Sequence, residues 1–319
     1  MKIAITGGAG FVGRNLAHSL LDDGHEVSLI TRSMPKVGNV IADAPRGNVH
    51  AVGLDDEEKL AHAFMGCEAV VHCAGINREI GVQTYECVHV EGTRHVVNAA
   101  RHSRVRKVIF LSFLRARPHC SSAYHESKWE AEEIVRNSGL DYTVIKAGVI
   151  YGKGDHMLDH LSLAFHTFPI FALVGMRDQR VRPLAVEDMV RVLRACVLEG
   201  CLSRRTVAIT GPEEMTLRES VKRVARVVDK RPFMIRLPIL VHHILAFIFE
   251  RTMKVPLVSS AQLRILSESV VEPLPACDTL PSDLAPILPF TQQQIRKGVP
   301  VARRFGLNDC LCCSRAGAM

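Results

Sequence analysis

Lys2-Ile3-Ala4-Ile5-Thr6-Gly7-Gly8-Ala9-Gly10-Phe11-Val12-Gly13 opens as an apolar strand and runs into three glycines spaced GxxGxxG. A helix-patterned segment carrying Phe11, Val12, Leu16 and Leu20 follows at once. Strand, glycine turn and helix in that order read as a dinucleotide site. Gly7 lets the chain turn sharply off the strand, Gly10 lets the backbone approach a pyrophosphate, and Gly13 lets the new helix pack on the sheet. The helix N-terminus then faces the phosphates with unpaired N–H groups and the positive end of its dipole. The cofactor-binding set therefore begins with Gly7, Gly10, Phe11, Val12 and Gly13.

Working outward, strand and helix patterns alternate: strands at 2–6, 26–31, 48–52, 68–73, 106–112 and 142–145, with helices at 11–23, 56–65, about 84–102 and about 121–138. This rhythm predicts an α/β fold, a doubly wound Rossmann sheet of six or seven parallel strands. Beyond Gly152 it loosens, although 207–209 still reads as a strand and 217–228 as a helix. A smaller, mostly helical C-terminal lobe is expected. The boundaries predicted are a dinucleotide-binding core at 1–152, a substrate or partner lobe at 153–302 with some chain returning to the core, and a loose tail at 303–319. The apolar run 237–249, broken by His242 and His243, is too short to span a bilayer and is expected to be a core or interfacial helix. The proline-rich stretch 273–289 is expected to be a wrapping arm.

With 319 residues and 47% apolar content the chain can bury a sizeable core. Its net charge of +7 is spread along the whole length and only 5% of residues are aromatic, so no stacking platform for nucleic acid is present. The basic balance suits an anionic cofactor or an acidic membrane surface. The ten cysteines show no secreted-framework spacing, which favours a reducing compartment. No signal peptide fits ahead of a strand that begins at Lys2, because its cleavage would remove that strand and destroy the site, so a cytoplasmic protein is expected, with a peripheral position at the inner membrane as the variant of that reading. No metal site is expected: His156, Asp159 and His160 lack a third ligand in the pattern, and Cys310, Cys312 and Cys313 read as exposed thiols in a tail.

Tyr124 and Lys128 are four apart at the start of a predicted helix with Ser121 or Ser122 as cap, so their side chains share a face. An ammonium beside a phenol favours the phenolate; moving a tyrosine from about 10 to about 7 needs about 4 kcal/mol of such stabilisation. That makes a tyrosine a usable acid or base at neutral pH. At the end of the second strand, where an acidic residue would hold a ribose 2′-hydroxyl, the chain has Thr31-Arg32-Ser33. A guanidinium beside a hydroxyl suits a 2′-phosphate, so NADP(H) is the preferred cofactor and NAD(H) the alternative.

TGGAGFVGRNL (6–16), HCAG (72–75), VHVEGTRHVVNAA (88–100), YHESKWEAEE (124–133), YTVIKAGVIYGKGD (142–155) and RPLAVEDMV (182–190) occur in the order seen in extended short-chain dehydrogenase/reductases, often called NAD-dependent epimerase/dehydratases. The chain most resembles the atypical branch related to the short-chain-dehydrogenase-like accessory subunit of respiratory complex I. The resemblance covers about residues 1–300. It implies that Tyr124 moves a proton, that Lys128 holds the nicotinamide ribose and tunes Tyr124, and that Leu54, Asp55, Ala74, Gly75 and Ala147 join the cofactor set. The family's Ser or Thr after the fifth strand falls at Phe113, leaving Ser112, or Ser121 or Ser122 from the next loop, to supply the polarising hydroxyl. Further departures are His89 for the family's asparagine, Lys146-Ala147 for Arg-Pro, and Gly53 where an acidic residue would lie near the adenine.

The leading expectation is an NADP(H)-binding oxidoreductase or epimerase acting on a small molecule. Alternatives are a non-catalytic NADPH-binding accessory protein, docking a protein or membrane partner through the C-terminal lobe, and an NAD-dependent nucleotide-sugar epimerase or dehydratase.

Overall fold

The computed structural model describes residues 1–32, 47–253 and 260–306. Ser33 and the cysteines at 310, 312 and 313 lie outside the described residues. The chain forms two compact units. One comprises Met1–Gly148, Val186–Ile209 and Glu272–Pro286; the other comprises Val149–Ala185, Thr210–Val271 and Ile287–Met319.

In chain order the first unit begins with β1 (Lys2–Thr6), α1 (Phe11–Asp22), β2 (Glu26–Thr31), β3 (Gly47–Ala51), α2 (Glu57–Phe64) and β4 (Ala69–His72). A π-helical turn (Glu86–Glu91) then runs into α3 (Gly92–His102), followed by β5 (Lys107–Phe113), α4 (Ala123–Arg136) and β6 (Asp141–Ala147). The second unit opens with β7 (Ile150–Tyr151), α5 (His156–Thr167), β8 (Ile170–Val174), β9 (Arg180–Val181) and β10 (Leu184–Ala185). The chain returns to the first unit for α6 (Val186–Leu198) and β11 (Arg205–Ile209). It then completes the second with β12 (Met215–Thr216), α7 (Leu217–Val227), β13 (Phe233–Leu237), α8 (Ile239–Thr252), α9 (Ser260–Leu266) and α10 (Gln292–Gly298).

Seven strands form one sheet in the order β11-β6-β5-β4-β1-β2-β3, every neighbouring pair parallel. Parallel strands need cover on both faces, which is why β1, β4 and β5 read as nearly continuous apolar runs. One face buries Ala4, Val70, Val108, Phe110 and Val144 against Leu60 and Phe64 of α2, Val96 of α3 and Val135 of α4. The alternate residues Ile3, Ile5, Leu29 and Ile109 are fully buried facing the other way. On α1 and α6 the buried stripes are Leu16 and Leu20, and Met189 and Leu193. Arg194 of α6 ties the two helices by donating to the Ser19 carbonyl at 2.9 Å.

Strand order reverses between β1 and β4, so the carboxyl ends of these two strands flank a topological switch point, where doubly wound sheets take their ligands. At the opposite edge, the proline-rich segment returns to β11, and Asp278 N–H donates to the Thr206 carbonyl at 2.8 Å.

The second unit has its own core, with Tyr151, Leu158, Phe165, Leu173, Val224, Phe290 and Ile295 buried together. Tyr151 packs edge-on against Phe290 at 4.6 Å. Asp155 caps α5, accepting from Leu158 N–H and Gly152 N–H, each at 2.6 Å. Of the two expectations for 237–249, a core or an interfacial helix, the core alternative is corrected here. Helix α8 buries only His242 and Ala246, and most of its apolar side chains are exposed.

Candidate coenzyme and catalytic site

The glycine turn is closed by its own backbone. Gly10 N–H donates to the Gly7 carbonyl at 2.8 Å, and the helix proper starts with Arg14 N–H donating to the Gly10 carbonyl at 3.0 Å. Gly7 sits at φ +67, and a Cβ there would lie 2.7 Å from the Ala74 nitrogen. A Cβ on Gly13 would lie 2.4 Å from the Gly7 carbonyl oxygen. These glycines are thus required by the turn itself, and Gly7 by the close approach of residues 73–74 across the switch point.

Helices α2, α5, α7 and α10 are capped by the side chains of Asp56, Asp155, Thr216 and Thr291. Helix α1 has no such cap and no acidic residue in its first turn. Its N-terminus offers amide donors and a positive dipole end to an anion, which fits a diphosphate. The residues present therefore suit a dinucleotide.

Behind the turn lies a buried polar chain that the sequence reading did not identify. The Thr93 hydroxyl donates to the His89 carbonyl at 2.5 Å, so its oxygen accepts from His72 Nε2 at 3.0 Å. His72 Nδ1 must then accept from the Thr6 hydroxyl at 2.5 Å. His72 is fully buried and its pKa is pushed down to about 3 by desolvation, then by the Lys128 charge. Between pH 6.5 and about 3 the unfolded chain carries a proton on this ring and the folded protein does not. The stability contribution is therefore complete above pH 6.5 and is lost as pH falls, by on the order of 5 kcal/mol at the limit. We expect His72→Asn to flatten the acid limb of a stability-versus-pH curve measured by urea denaturation. Identical slopes for variant and wild type would contradict this assignment.

The π-helical turn places His89 inward, where it is buried. Ile76 N–H donates to His89 Nε2 at 3.1 Å, so the ring proton sits on Nδ1 and is donated to the Ser127 hydroxyl at 2.9 Å. Ser127 in turn donates to the Tyr124 carbonyl at 3.1 Å. The Tyr124 ring is fenced by Tyr85, His89, Phe113 and His125, with centroids 5.6 to 5.7 Å away. Tyr85 also stacks on His89 at 5.4 Å.

Tyr124 and Lys128 share a face of α4, and both are buried. Lys128 Nζ donates to the Leu111 carbonyl at 3.3 Å and lies 5.1 Å over the Phe110 ring. A Cβ on Gly75 would lie 3.1 Å from Lys128 Nζ and 3.5 Å from His89 Nε2, so these three residues meet at the carboxyl end of β4. Burial pushes Lys128 down to about 8, against the opposing influence of Cys73 and Glu132. The expected lowering of the Tyr124 pKa by Lys128 is not what the folded chain shows by itself. Burial, followed by Tyr85, holds the phenol above its ordinary value.

The fifth strand settles where the serines lie. Phe113 stands beside Tyr124, whereas the Ser112 hydroxyl donates to Glu132 Oε1 at 2.5 Å. The expectation that Ser112 polarises a substrate next to Tyr124 is corrected: the strand is not shifted, and Ser112 serves a buried carboxylate. Ser122 is bound to His125 Nδ1 at 2.5 Å. Among the described residues, no hydroxyl hydrogen-bonds to the Tyr124 phenol. Lys146, the departure noted on β6, ion-pairs with Glu132 at 3.3 Å, and Arg136 does so at 2.8 Å. Burial pushes Glu132 up and Lys146 down, each opposed by its ion-pair partner. A cavity of ≈ 460 Å³ bordered by Trp129, Glu132, Lys146, Arg204 and Cys277 opens beside this cluster, and no glycine-turn residue lines it.

Arg32 follows β2, exposed, and donates from Nη1 to the Gln83 side chain. Leu54 packs against Gly92, its carbonyl bonded to His95 Nδ1 at 2.7 Å, while Asp55 is exposed. Ala147 pairs with Phe113 across β5 and β6. Among the described residues no group of His, Cys, Asp or Glu has metal-binding geometry; His156 and His160 lie on α5 with rings 6.1 Å apart.

A family profile described as NAD(P)H-binding matches residues 7–159, from the first glycine of the turn into α5. A relative of 21% identity is the mitochondrial 40 kDa subunit of NADH-ubiquinone oxidoreductase from Neurospora crassa, matched over 84% of this chain and 72% of that protein. These likenesses support assignment of the chain to the extended short-chain dehydrogenase/reductases. Another relative is a ceramide reductase of Caulobacter vibrioides, 29% identical over 74% of this chain and 73% of that protein. Three mycobacterial relatives are 24% identical over 71% of this chain, which spans only 23% of their length. The fold is that of UDP-glucuronic acid 4-epimerase from Bacillus cereus in complex with NAD, with a TM-score of 0.69 at 16% identity over 94% of this chain and 97% of that one. The chain thus carries an NAD(P)H-binding domain and shares its fold with that epimerase. No described helix is long and apolar enough to cross a membrane.

Proposed function

We propose that the chain is an NADP(H)-dependent oxidoreductase in which Tyr124 carries the proton and Lys128 the supporting charge. The observation that carries this reading is the convergence of Gly75, Lys128 and His89 at the switch point, with Tyr124 buried one turn away on the same helix face. The backbone of the glycine turn and α1 would hold the diphosphate. Arg32 would meet a 2′-phosphate after leaving Gln83, and Ala74, Gly75 and Lys128 would flank the nicotinamide end. NADPH, when bound there, supplies a hydride to a carbonyl carbon. Tyr124 gives its proton to the carbonyl oxygen, which completes the alcohol. Lys128 stabilises the phenolate left behind, and the His89–Ser127 chain fixes the backbone of Tyr124. An epimerase would return the hydride to the opposite face of the same carbon.

The likeness to a ceramide reductase makes lipids the first substrate class to test. Incubation with NADPH deuterated at nicotinamide C4 and a panel of ketone-bearing lipids is expected to yield an alcohol carrying one deuterium. Oxidation of NADPH without transfer of the label to any carbon would reject hydride chemistry at this site.

A second reading, a non-catalytic NADPH-binding accessory protein, draws on Phe113. This side chain supplies no hydrogen bond where the reaction needs one, and burial raises the pKa of the Tyr124 phenol, which weakens it as a proton donor. Under that reading the bound nucleotide stabilises a docking surface. A reducing, cytoplasmic setting suits either reading, since all seven described cysteines are free.

A further inference from the structure

We infer that α8 of the second unit docks in the plane of an anionic lipid surface. The helix is amphipathic in the reverse of the usual sense. It buries His242 and Ala246 and presents Leu240, Ile244, Phe247 and Ile248 to solvent at 72%, 54%, 54% and 45% exposure. These four positions fall on one stripe of a 3.6-residue helix, a row that a helix normally turns toward its own core. Such a contiguous apolar patch marks an interaction site. Fourteen residues span about 21 Å, too little to cross a bilayer but suited to lying in its interface.

The charge around the stripe selects the occupant. Arg251 lies 3.5 Å over the Phe247 ring, on the same stripe. At the other end, Ile239 packs at Gly175, beside the exposed Met176 and Arg177, and Arg236 donates to the Met176 carbonyl at 3.4 Å while pairing with Asp178. The described residues from 229 to 253 carry four cations (Lys230, Arg231, Arg236, Arg251) and two anions (Asp229, Glu250). Apolar side chains rimmed by arginine fit an interface where acyl chains lie under phosphate headgroups. A two-fold contact with a second copy would set this cationic rim against itself.

The test is vesicle sedimentation of the full-length chain without coenzyme, so that its outcome is independent of the reading given above for Tyr124 and Lys128. The wild type is expected to pellet with vesicles of phosphatidylcholine containing about one third phosphatidylglycerol, and about tenfold more weakly with phosphatidylcholine alone. Ile244→Asp with Phe247→Asp should reduce pelleting by at least about tenfold, and Arg251→Glu should reduce it for the anionic vesicles only. Unchanged circular dichroism and melting temperature would show that the variants remain folded. The inference is overturned if the wild type stays in the supernatant or if the double variant pellets as well as the wild type. It is equally overturned if ultracentrifugation shows a wild-type dimer that the double variant abolishes.

Discussion

Tyr124→Phe leaves the protein folded and coenzyme-bound while lowering turnover by about a thousandfold, the contribution of a positioned proton donor. The separation between these two effects follows from the surroundings of the ring. Its contacts are with Tyr85, His89, Phe113 and His125, all through the aromatic faces and edges that a phenylalanine keeps. Its hydroxyl bonds to no described residue, so removing it leaves no orphaned partner and costs little stability. The measurement is kcat on any lipid that the wild type reduces, set beside the NADPH dissociation constant of the same preparation. Turnover within about twofold of wild type, with affinity unchanged, would assign the proton to another group and favour the accessory-protein reading.

Gly13→Ala has the opposite signature, loss of coenzyme before any chemistry. The added Cβ would lie 2.4 Å from the Gly7 carbonyl oxygen, a backbone atom that cannot move without opening the turn. Helix α1 would have to shift, taking its amide donors away from the diphosphate. Affinity for NADPH is expected to fall by at least about a hundredfold, about 2.7 kcal/mol. Gly81→Ala is the control. Gly81 has positive φ, unlike the helical Gly13, and meets nothing within 4 Å, so that variant is expected to be mildly destabilised and to bind normally. Equal affinities for the two variants would separate the glycine turn from coenzyme binding.

Much of the sheet was legible because the signals are local. The apolar runs of β1, β4 and β5 and the glycines between strand and helix announce a parallel sheet and its first crossover. The pairing of Tyr124 with Lys128 on one face follows from their spacing alone. What could not be read depends on partners distant in sequence. Ser112 and Phe113 are adjacent, and only the position of Glu132, 20 residues on, shows which of them faces Tyr124. Lys146 reads as a lost motif residue, yet it answers the buried charge of Glu132. His72 looks like part of a short motif, whereas its role is set by Thr6, 66 residues earlier, and by Thr93. The run 237–249 carries apolar content but no sign of which side is covered, and its exposure emerges only from the fold. Arg32 illustrates the same limit, since its Gln83 partner lies 51 residues away.

The central claim is that the glycine turn and the Tyr124 helix hold one nicotinamide dinucleotide, NADP(H) in preference to NAD(H). Titrating NADPH and NADH against the protein by isothermal calorimetry is expected to give saturable binding of both, with NADPH binding at least about tenfold more tightly. Absence of saturable binding of either coenzyme would contradict a coenzyme site at the glycine turn.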